Sequence, residues 1–457
     1  MQDQIFKAYD IRGIYPSEIS EVDVPQIAQA YLVLLSEKLS KPIKDLKIAV
    51  GRDARLSSPL LLEKAIETFL QFGVTVDDYG PMSSNDYYFV VGNYKYDGGL
   101  MATASHNPPE YGGFKMAFAN NQHPDSIDFL AGRELYAKLK TLSFPLEAPA
   151  KAGTRTSKDY IQEHLQHIFN FVELEKITAK NIVVDSGNGM TAVMIPEIFK
   201  KLPGKMTNIF DELDGTFPNR PPNPLTPGAP DKLIAKVREE KADLGVIYDI
   251  DGDRMFLVDE KGNFIRGDMI LLLLAKAMLA KNPGAGVAYN LICSHAVPEL
   301  ITKWGGRPLR SEVGYMNLSR HMREEGGVMS GEVSAHFAFR DNFYADSGYI
   351  ALLLVLQTLS EDGRPLSELI KEYSLYHRAD EYNLKVADVA SELDKIRNKY
   401  HDNIRDEIDG ITAEFGDWWF NVRASNTEPL LRITVEAKTK AMLDDKQKEL
   451  VELVQNQ

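Results

Sequence analysis

Three aspartates, Asp249, Asp251 and Asp253, alternate at the end of the apolar run Leu244-Gly-Val-Ile-Tyr248 and are followed by Arg254. If strand conformation continues through them, its period of two turns all three carboxylates to one side, where they repel unless a cation joins them. Oxygen ligands with no cysteine or histidine in the run suit Mg2+. An EF-hand loop is the rival arrangement, since Asp249, Asp251, Asp253 and Glu260 fall at its ligand positions. It fails because Arg254 stands where that loop needs glycine, and because a strand rather than a helix precedes it. A solvated acidic turn is the plainer alternative.

Residues 103–115, Thr-Ala-Ser-His-Asn-Pro-Pro-Glu-Tyr-Gly-Gly-Phe-Lys, follow the strand-like Gly99-Leu-Met-Ala102. They gather a hydroxyl, an imidazole, an amide and an amine in one loop, the place where α/β folds carry reactive groups. Ser105 suits a nucleophile or a phosphate carrier. It is not the serine of a hydrolase elbow, because Gly-x-Ser-x-Gly is absent and the adjacent His106 is not expected to fold back as its base. In residues 330–336, Ser-Gly-Glu-Val-Ser-Ala-His, an extended segment would present Glu332, Ser334 and His336 along one edge, which suits the hydroxyls of a sugar. In Arg423-Ala-Ser425-Asn426-Thr427-Glu-Pro429 a bidentate guanidinium joins hydroxyl and amide donors, as a phosphate cradle requires. Taken singly, each of these strings also reads as a capped turn or a polar hairpin loop.

Such loops need a frame. Lys47-Ile-Ala-Val-Gly51, Asn181-Ile-Val-Val-Asp185 and Val287-Ala-Tyr-Asn290 each begin the same order of short apolar strand, polar turn, amphipathic helix and second strand. The helices are predicted from about Ser58 to Phe72, up to about Lys201, and near Ala296 to Lys303. Three such half-βαβ units imply an α/β chain with mixed or parallel sheets, related by pattern rather than by residue identity. The final unit differs: strands at Trp418-Trp-Phe-Asn-Val-Arg423 and Leu430-Leu-Arg-Ile-Thr-Val-Glu436, then a charged helix after about Lys440, make a smaller α+β domain. Proline and glycine accumulate at Phe144-Pro-Leu-Glu-Ala-Pro149, near residues 259–263 and after Gly363-Arg-Pro365. The expected domains are therefore 1–149, 150–259, 260–369 and 370–457. The proline-rich stretch 214–228 reads as a stiff surface connector.

Composition agrees with this frame. A chain of 457 residues holds three or four compact units, and 44% hydrophobic with 26% charged residues excludes disorder as the main state. With 52 basic and 66 acidic residues the net charge is −14, which argues against a nucleic-acid or anionic-membrane partner. Any anion site must be a built pocket. The single cysteine, Cys293, excludes a disulfide framework and a thiolate-rich zinc site, and reads as a small buried residue. The apolar windows 269–280 and 349–359 are shorter than the roughly 20 residues of a membrane span and are read as core helices. The opening Met-Gln-Asp-Gln-Ile-Phe-Lys lacks the pattern of a signal peptide, so a cytoplasmic location is expected.

In this order and at these separations, the four loops resemble those of the α-D-phosphohexomutase superfamily. The opening Phe6-Lys-Ala-Tyr9-Asp-Ile-Arg12-Gly13 matches too, so the resemblance spans essentially the whole chain. Gly331-Glu-Val-Ser-Ala-His336 resembles the phosphomannomutase and phosphomannomutase/phosphoglucomutase branch. The resemblance implies a heart-shaped four-domain enzyme, three related α/β domains with mixed sheets plus a smaller C-terminal α+β domain. It implies a phosphoserine at Ser105, Mg2+ held by Asp249, Asp251, Asp253 and a phosphoserine oxygen, and a hexose 1,6-bisphosphate intermediate that also serves as activator. It places sugar recognition at Glu332, Ser334 and His336, phosphate binding at Arg423, Ser425, Asn426 and Thr427, and basic active-site positions at Arg12, Lys115 and Arg254. His106 joins Ser105, and His336 or Lys115 is expected to manage the hydroxyl proton. Where many members carry a histidine, this chain has Tyr315, and near Cys293 it offers His295 where some have a lysine. The expected partner is a small phosphosugar, with the protein a monomer or weak homodimer. Mannose phosphate is the expected substrate, glucose phosphate a further one. A phosphoglucomutase or phosphoglucosamine mutase is the alternative within the superfamily, and a non-catalytic sugar-phosphate binder is the alternative outside it.

Overall fold

The strand Lys47–Arg52 lies between Thr75–Pro81 and Gly98–Ala102, all three parallel, and Tyr111–Ala119 runs antiparallel beside Gly98–Ala102. A second sheet repeats this plan, with Lys180–Asp185 between Gly204–Ile209 and Leu244–Tyr248, and Met255–Asp259 antiparallel at the next position. A third sets Gly286–Asn290 between Arg307–Ser311 and Gly327–Gly331, again parallel. The sheets are mixed, as the strand pattern predicts. In each repeat the chain leaves the central strand toward one side and returns on the other, a topological switch point whose carboxyl edge is where α/β folds hold ligands. Ser105, Asp249 and Glu332 all follow the third strand of their repeat.

This is a computed structural model describing residues 2–424 and 430–455. The chain up to Arg266 together with Ser334–Ser367 forms one compact unit, and Gly267–Val333 with the chain from Glu368 onward forms a second. Local sequence explains the supporting elements. The helix Ser58–Gln71 has proline in its first turn and buries Leu61, Leu62, Ala65, Ile66 and Phe69, an i, i+3, i+4 stripe worth about 1.5–3 kcal/mol for each large side chain. It ends at Gly73, whose φ of +81° only glycine adopts freely. The two apolar windows lie in helices Gly267–Lys281 and Gly348–Asp362, both largely buried. Among the described residues no helix is long and apolar enough to cross a membrane. In the second unit the C-terminal sheet is antiparallel, and Phe420, Val422, Leu431, Ile433 and Val435 form its core with Leu450 from the helix Lys440–Gln455.

The proline-rich stretch departs from its expectation as a surface connector. Phe217 and Arg220 are buried, and the Arg220 Nε donates to Asp185 Oδ1 at 2.8 Å while its Nη2 donates to the Tyr248 carbonyl. The prolines stiffen a segment that carries an arginine into the second repeat. Residues 259–263 form the turn between Met255–Asp259 and Phe264–Ile265, an antiparallel pair.

Candidate active site

Ser105 is 2% exposed and has a left-handed backbone, φ +48°, which costs an ordinary residue about 1–2 kcal/mol. Its N–H donates to Thr103 Oγ1 at 2.9 Å, and that hydroxyl donates to Asp53 Oδ2 at 2.6 Å. The bend brings His106 Nδ1 to 3.2 Å from Ser105 Oγ, which corrects the expectation that an adjacent histidine stays away. A left-handed residue swings consecutive side chains toward one another, whereas an extended one sends them to opposite faces. Burial, then the neighbouring Arg254, Arg12, His336 and Lys115, hold His106 well below the usual imidazole range. It stands neutral beside the hydroxyl.

The strand Leu244–Tyr248 stops before the acidic triad. Gly252 takes φ +81° in a turn, so Asp249, Asp251 and Asp253 converge by chain reversal and not by strand alternation. All three are buried, and one oxygen of each lies within 4.8 Å of the others. The first repeat grips this loop: Ser84 N donates to the Asp251 carbonyl at 2.8 Å, Ser84 Oγ to Asp251 Oδ2 at 2.6 Å, and Asn85 Nδ2 to the Gly252 carbonyl at 2.6 Å. Ser84 and Asn85 open the helix Ser84–Asn93, fixed at its start by a capping box between Ser83 and Asp86.

Cations surround the triad. Lys115 Nζ donates to Asp251 Oδ2 at 2.5 Å and also to Asp253 Oδ2, and Arg254 Nε donates to Asp249 Oδ2 at 2.7 Å. Burial, with Asp253 and Asp251 alongside, pushes Asp249 up to about 7 against the pull of Arg254. Burial also opposes the charge of Asp253, but Lys115, His336 and Arg254 outweigh it and hold that carboxyl low. Asp251 Oδ1 and Asp253 Oδ1 are buried without a hydrogen-bond donor. Buried carboxylate oxygens with no donor, in an all-oxygen set, fit a hard divalent cation.

Arg12 and His336 lie nearby. Arg12 Nη1 donates to Asn107 Oδ1 at 2.8 Å, and its Nη2 lies 2.6 Å from Asp10 Oδ2. His336 Nδ1 is 3.1 Å from Asp346 Oδ2 and 3.9 Å from Asp253 Oδ1. Residues 332–336 are not the extended edge expected of them, because Ala335 is left-handed at φ +65° and the segment turns. The boundary between units falls inside it, leaving Glu332 in the second unit and Ser334 and His336 in the first.

In the second unit Glu332 Oε2 accepts from Asn290 Nδ2 at 3.1 Å and from the Gly314 N–H at 3.3 Å, just before Tyr315 opens the helix Tyr315–Glu324. Cys293 is buried, and its thiol donates to Asn290 Oδ1 at 3.1 Å. His295 stacks on Trp419 with ring centroids 4.6 Å apart, and burial lowers it to about 4. A neutral ring does not replace the charge of a lysine. Arg423 is buried with Nη2 on Glu381 Oε1 at 2.8 Å. Ser425, Asn426 and Thr427 lie outside the described residues.

Sequence reading missed Asp53, Arg55, Ser84, Asn85, Arg220 and Asp346. Gly51-Arg-Asp53 stood out only as a turn, and nothing in Ser83-Ser-Asn-Asp86 showed what its side chains would hold.

Family models described as phosphoglucomutase/phosphomannomutase, alpha/beta/alpha domains I, II and III and C-terminal domain, match residues 3–129, 158–262, 266–376 and 381–453. The chain is 36% identical over 451 residues to a phosphomannomutase of Methanocaldococcus jannaschii, covering 98% of this chain and 97% of that one. It is 36% identical over 445 residues to a Xanthomonas campestris protein described as phosphohexose mutases, covering 96% of each. A solved structure of a phosphoglucomutase/phosphomannomutase family protein from Burkholderia thailandensis aligns with a TM-score of 0.87 at 28% identity, covering 100% of this chain and 98% of that one.

Proposed function

Because the chain belongs to the phosphoglucomutase/phosphomannomutase family, we propose that it interconverts hexose 1-phosphates and hexose 6-phosphates, with mannose phosphates preferred and glucose phosphates accepted. The observation that carries the reading is the meeting, in one compact unit, of Ser105, three buried aspartates and the cations Arg12, Lys115 and Arg254. The names of the relatives support the mannose preference.

Ser105 carries a phosphoryl group. Its Oγ–P bond breaks as a free sugar hydroxyl oxygen bonds to phosphorus, and the hydroxyl proton is relayed by His336 or Lys115 to the departing Ser105 Oγ, which leaves as a hydroxyl. The product is a hexose 1,6-bisphosphate, which turns over and returns its other phosphoryl to Ser105 by the reverse step. Mg2+, held by Asp249, Asp251 and Asp253 with an oxygen of the phosphoserine, would offset charge on the group in transit. Arg12 and Arg254 remain cationic and orient anionic oxygens, since a guanidinium does not serve as a base. Neutral His106 holds the hydroxyl of the dephosphorylated serine. Glu332 and Ser334 take sugar hydroxyls, while Arg423, Ser425, Asn426 and Thr427 hold the phosphate that stays. Tyr315 bears on the choice of epimer, because a phenol keeps one donor but stays neutral at pH 7.

The test compares mannose, glucose and glucosamine 1-phosphates with Mg2+ and catalytic hexose 1,6-bisphosphate, following both sugar phosphates and inorganic phosphate. Conversion without phosphate release, fastest on mannose 1-phosphate, is expected. Net phosphate release, or turnover of none of the three, overturns the reading.

A further inference from the structure

We propose that Arg55 is the positioning residue that holds Ser105 where both phosphoryl transfers need it, an inference that rests on the phosphoserine reading above. The Arg55 side chain is 0% exposed, and every N–H of its guanidinium has an acceptor. Nε donates to Asp53 Oδ2 at 3.0 Å. Nη1 donates to the carbonyls of Pro108 at 2.6 Å and Tyr111 at 3.2 Å, and Nη2 to those of Ser105 at 2.5 Å and Asn107 at 2.6 Å. One side chain thus gathers the carbonyls of Ser105, Asn107 and Pro108, which lie between strands, together with that of Tyr111, the first residue of the next strand.

The bonds close a ring around Ser105. Its N–H reaches Thr103 Oγ1, that hydroxyl reaches Asp53, Asp53 accepts from Arg55, and Arg55 returns to the Ser105 carbonyl. Both peptide groups of a left-handed residue are fixed, and rotation about its own side chain is what remains. Ring and chemistry are linked by geometry. Ser105 Oγ must give a phosphoryl to one end of the sugar and accept one from the other, so one oxygen position serves two transfers. A displacement of about 1 Å costs a reaction of this kind about 10²-fold. Lysine cannot stand in, because its three tetrahedral donors do not match a planar fork with five acceptors.

The experiment uses the full chain with Arg55→Lys, Thr103→Ala and Thr103→Ser. It reads Ser105 phosphorylation by hexose 1,6-bisphosphate from intact mass, kcat and KM on mannose 1-phosphate, Mn2+ affinity and melting temperature. Arg55→Lys should slow phosphorylation and kcat together by about 10²-fold with KM and Mn2+ affinity nearly unchanged. Thr103→Ala, which opens the ring and leaves the guanidinium in place, should be slower than wild type, and Thr103→Ser should recover the rate. If Arg55→Lys does not fold, the two Thr103 variants decide. Phosphorylation at the wild-type rate in folded Thr103→Ala overturns the proposal. So does a slowing that Thr103→Ser does not rescue and that Mn2+ affinity shares in equal measure, since that marks general loosening. A wild-type chain that never takes a phosphoryl on Ser105 defeats the mutase reading itself and this proposal with it.

Discussion

The first two repeats of the molecule hold their working loops with the same device built from different parts of the chain. In each, an aspartate at the end of the central strand binds a buried arginine that also reaches backbone carbonyl oxygen at or beyond the end of the third strand. In the first repeat the arginine, Arg55, comes two residues after Asp53, and both Asp53 oxygens are filled, by Arg55 N, Ser58 Oγ, Arg55 Nε and Thr103 Oγ1. In the second, Arg220 arrives from the proline-rich stretch to meet Asp185, whose Oδ2 is buried without a hydrogen-bond partner. Burial accordingly raises Asp185 above the usual carboxylate range, even with Arg220 pulling it down. The Ser105 loop is tied from within its own repeat. The aspartate loop takes part of its support from outside, through Ser84 and Asn85.

The contrast can be broken at several points. The largest effect should come from Ser105→Ala, which removes the proposed phosphoryl carrier and should lower turnover by about 10⁴-fold or more. Mn2+ binding to the triad should survive, because the aspartate loop does not depend on the serine loop for its fold; steady-state assay with Mn2+ titration reads both. Next, Arg220→Met leaves Asp185 buried and unpaired, which should cost about 3–5 kcal/mol in urea unfolding, and Asp185→Asn in the same chain should recover part of it. A loss below about 1 kcal/mol means that the two arginines are not equivalent devices. Smaller again, Ser84→Ala removes one donor to Asp251 and should weaken metal affinity about 10-fold, with melting temperature nearly unchanged.

The smallest effect concerns the seam between the repeats, where His167 bonds Asn342 Oδ1 at 2.9 Å and packs between Phe89 and Phe343. Burial lowers His167 to about 4, with the Asn342 bond pulling the other way. The unfolded chain, at about 6.5, therefore binds a proton that the folded chain refuses, so stability is full above pH 6.5 and declines as pH falls toward 4. The expected loss is about 1–2 kcal/mol, and urea titrations of wild type and His167→Gln at pH 7.5 and 4.5 isolate it.

Much of this frame was legible in the chain. Periodicity located the helix Ser58–Gln71 to within a residue, and the run Asp249-Ile-Asp-Gly-Asp253 pointed to three carboxylates that the structure brings within reach of one another. The manner of convergence was hidden, because alternating side chains suggest a strand while Gly252 makes a turn. Arg55 and Arg220 were hidden for a deeper reason. Their partners are mostly carbonyl groups, which every residue possesses, so no side-chain pattern marks the acceptor. Likewise nothing near Ser84 pointed to Asp251, because their bond joins residues 167 positions apart. Local signals identify groups with unusual chemistry, and they are silent on contacts whose partner is ordinary backbone.

The re-entry of Ser334–Ser367 into the first unit bears on how the molecule is made. A ribosome delivers the chain from its amino end at about 5–20 residues per second, and domains that are continuous in sequence can close as they emerge. This unit is discontinuous. Its aspartate loop is complete at Asp253, yet His336, Asp346 and the helix Gly348–Asp362 follow only after Gly267–Val333, a segment of the other unit, has been synthesised. The nascent chain must therefore carry an unfinished first unit through that interval, with the faces of Tyr248 and Tyr349 that pack together in the finished protein still apart. No fragment ending at Arg266 reproduces that unit, so its minimal genetic form is a fusion of two separated stretches.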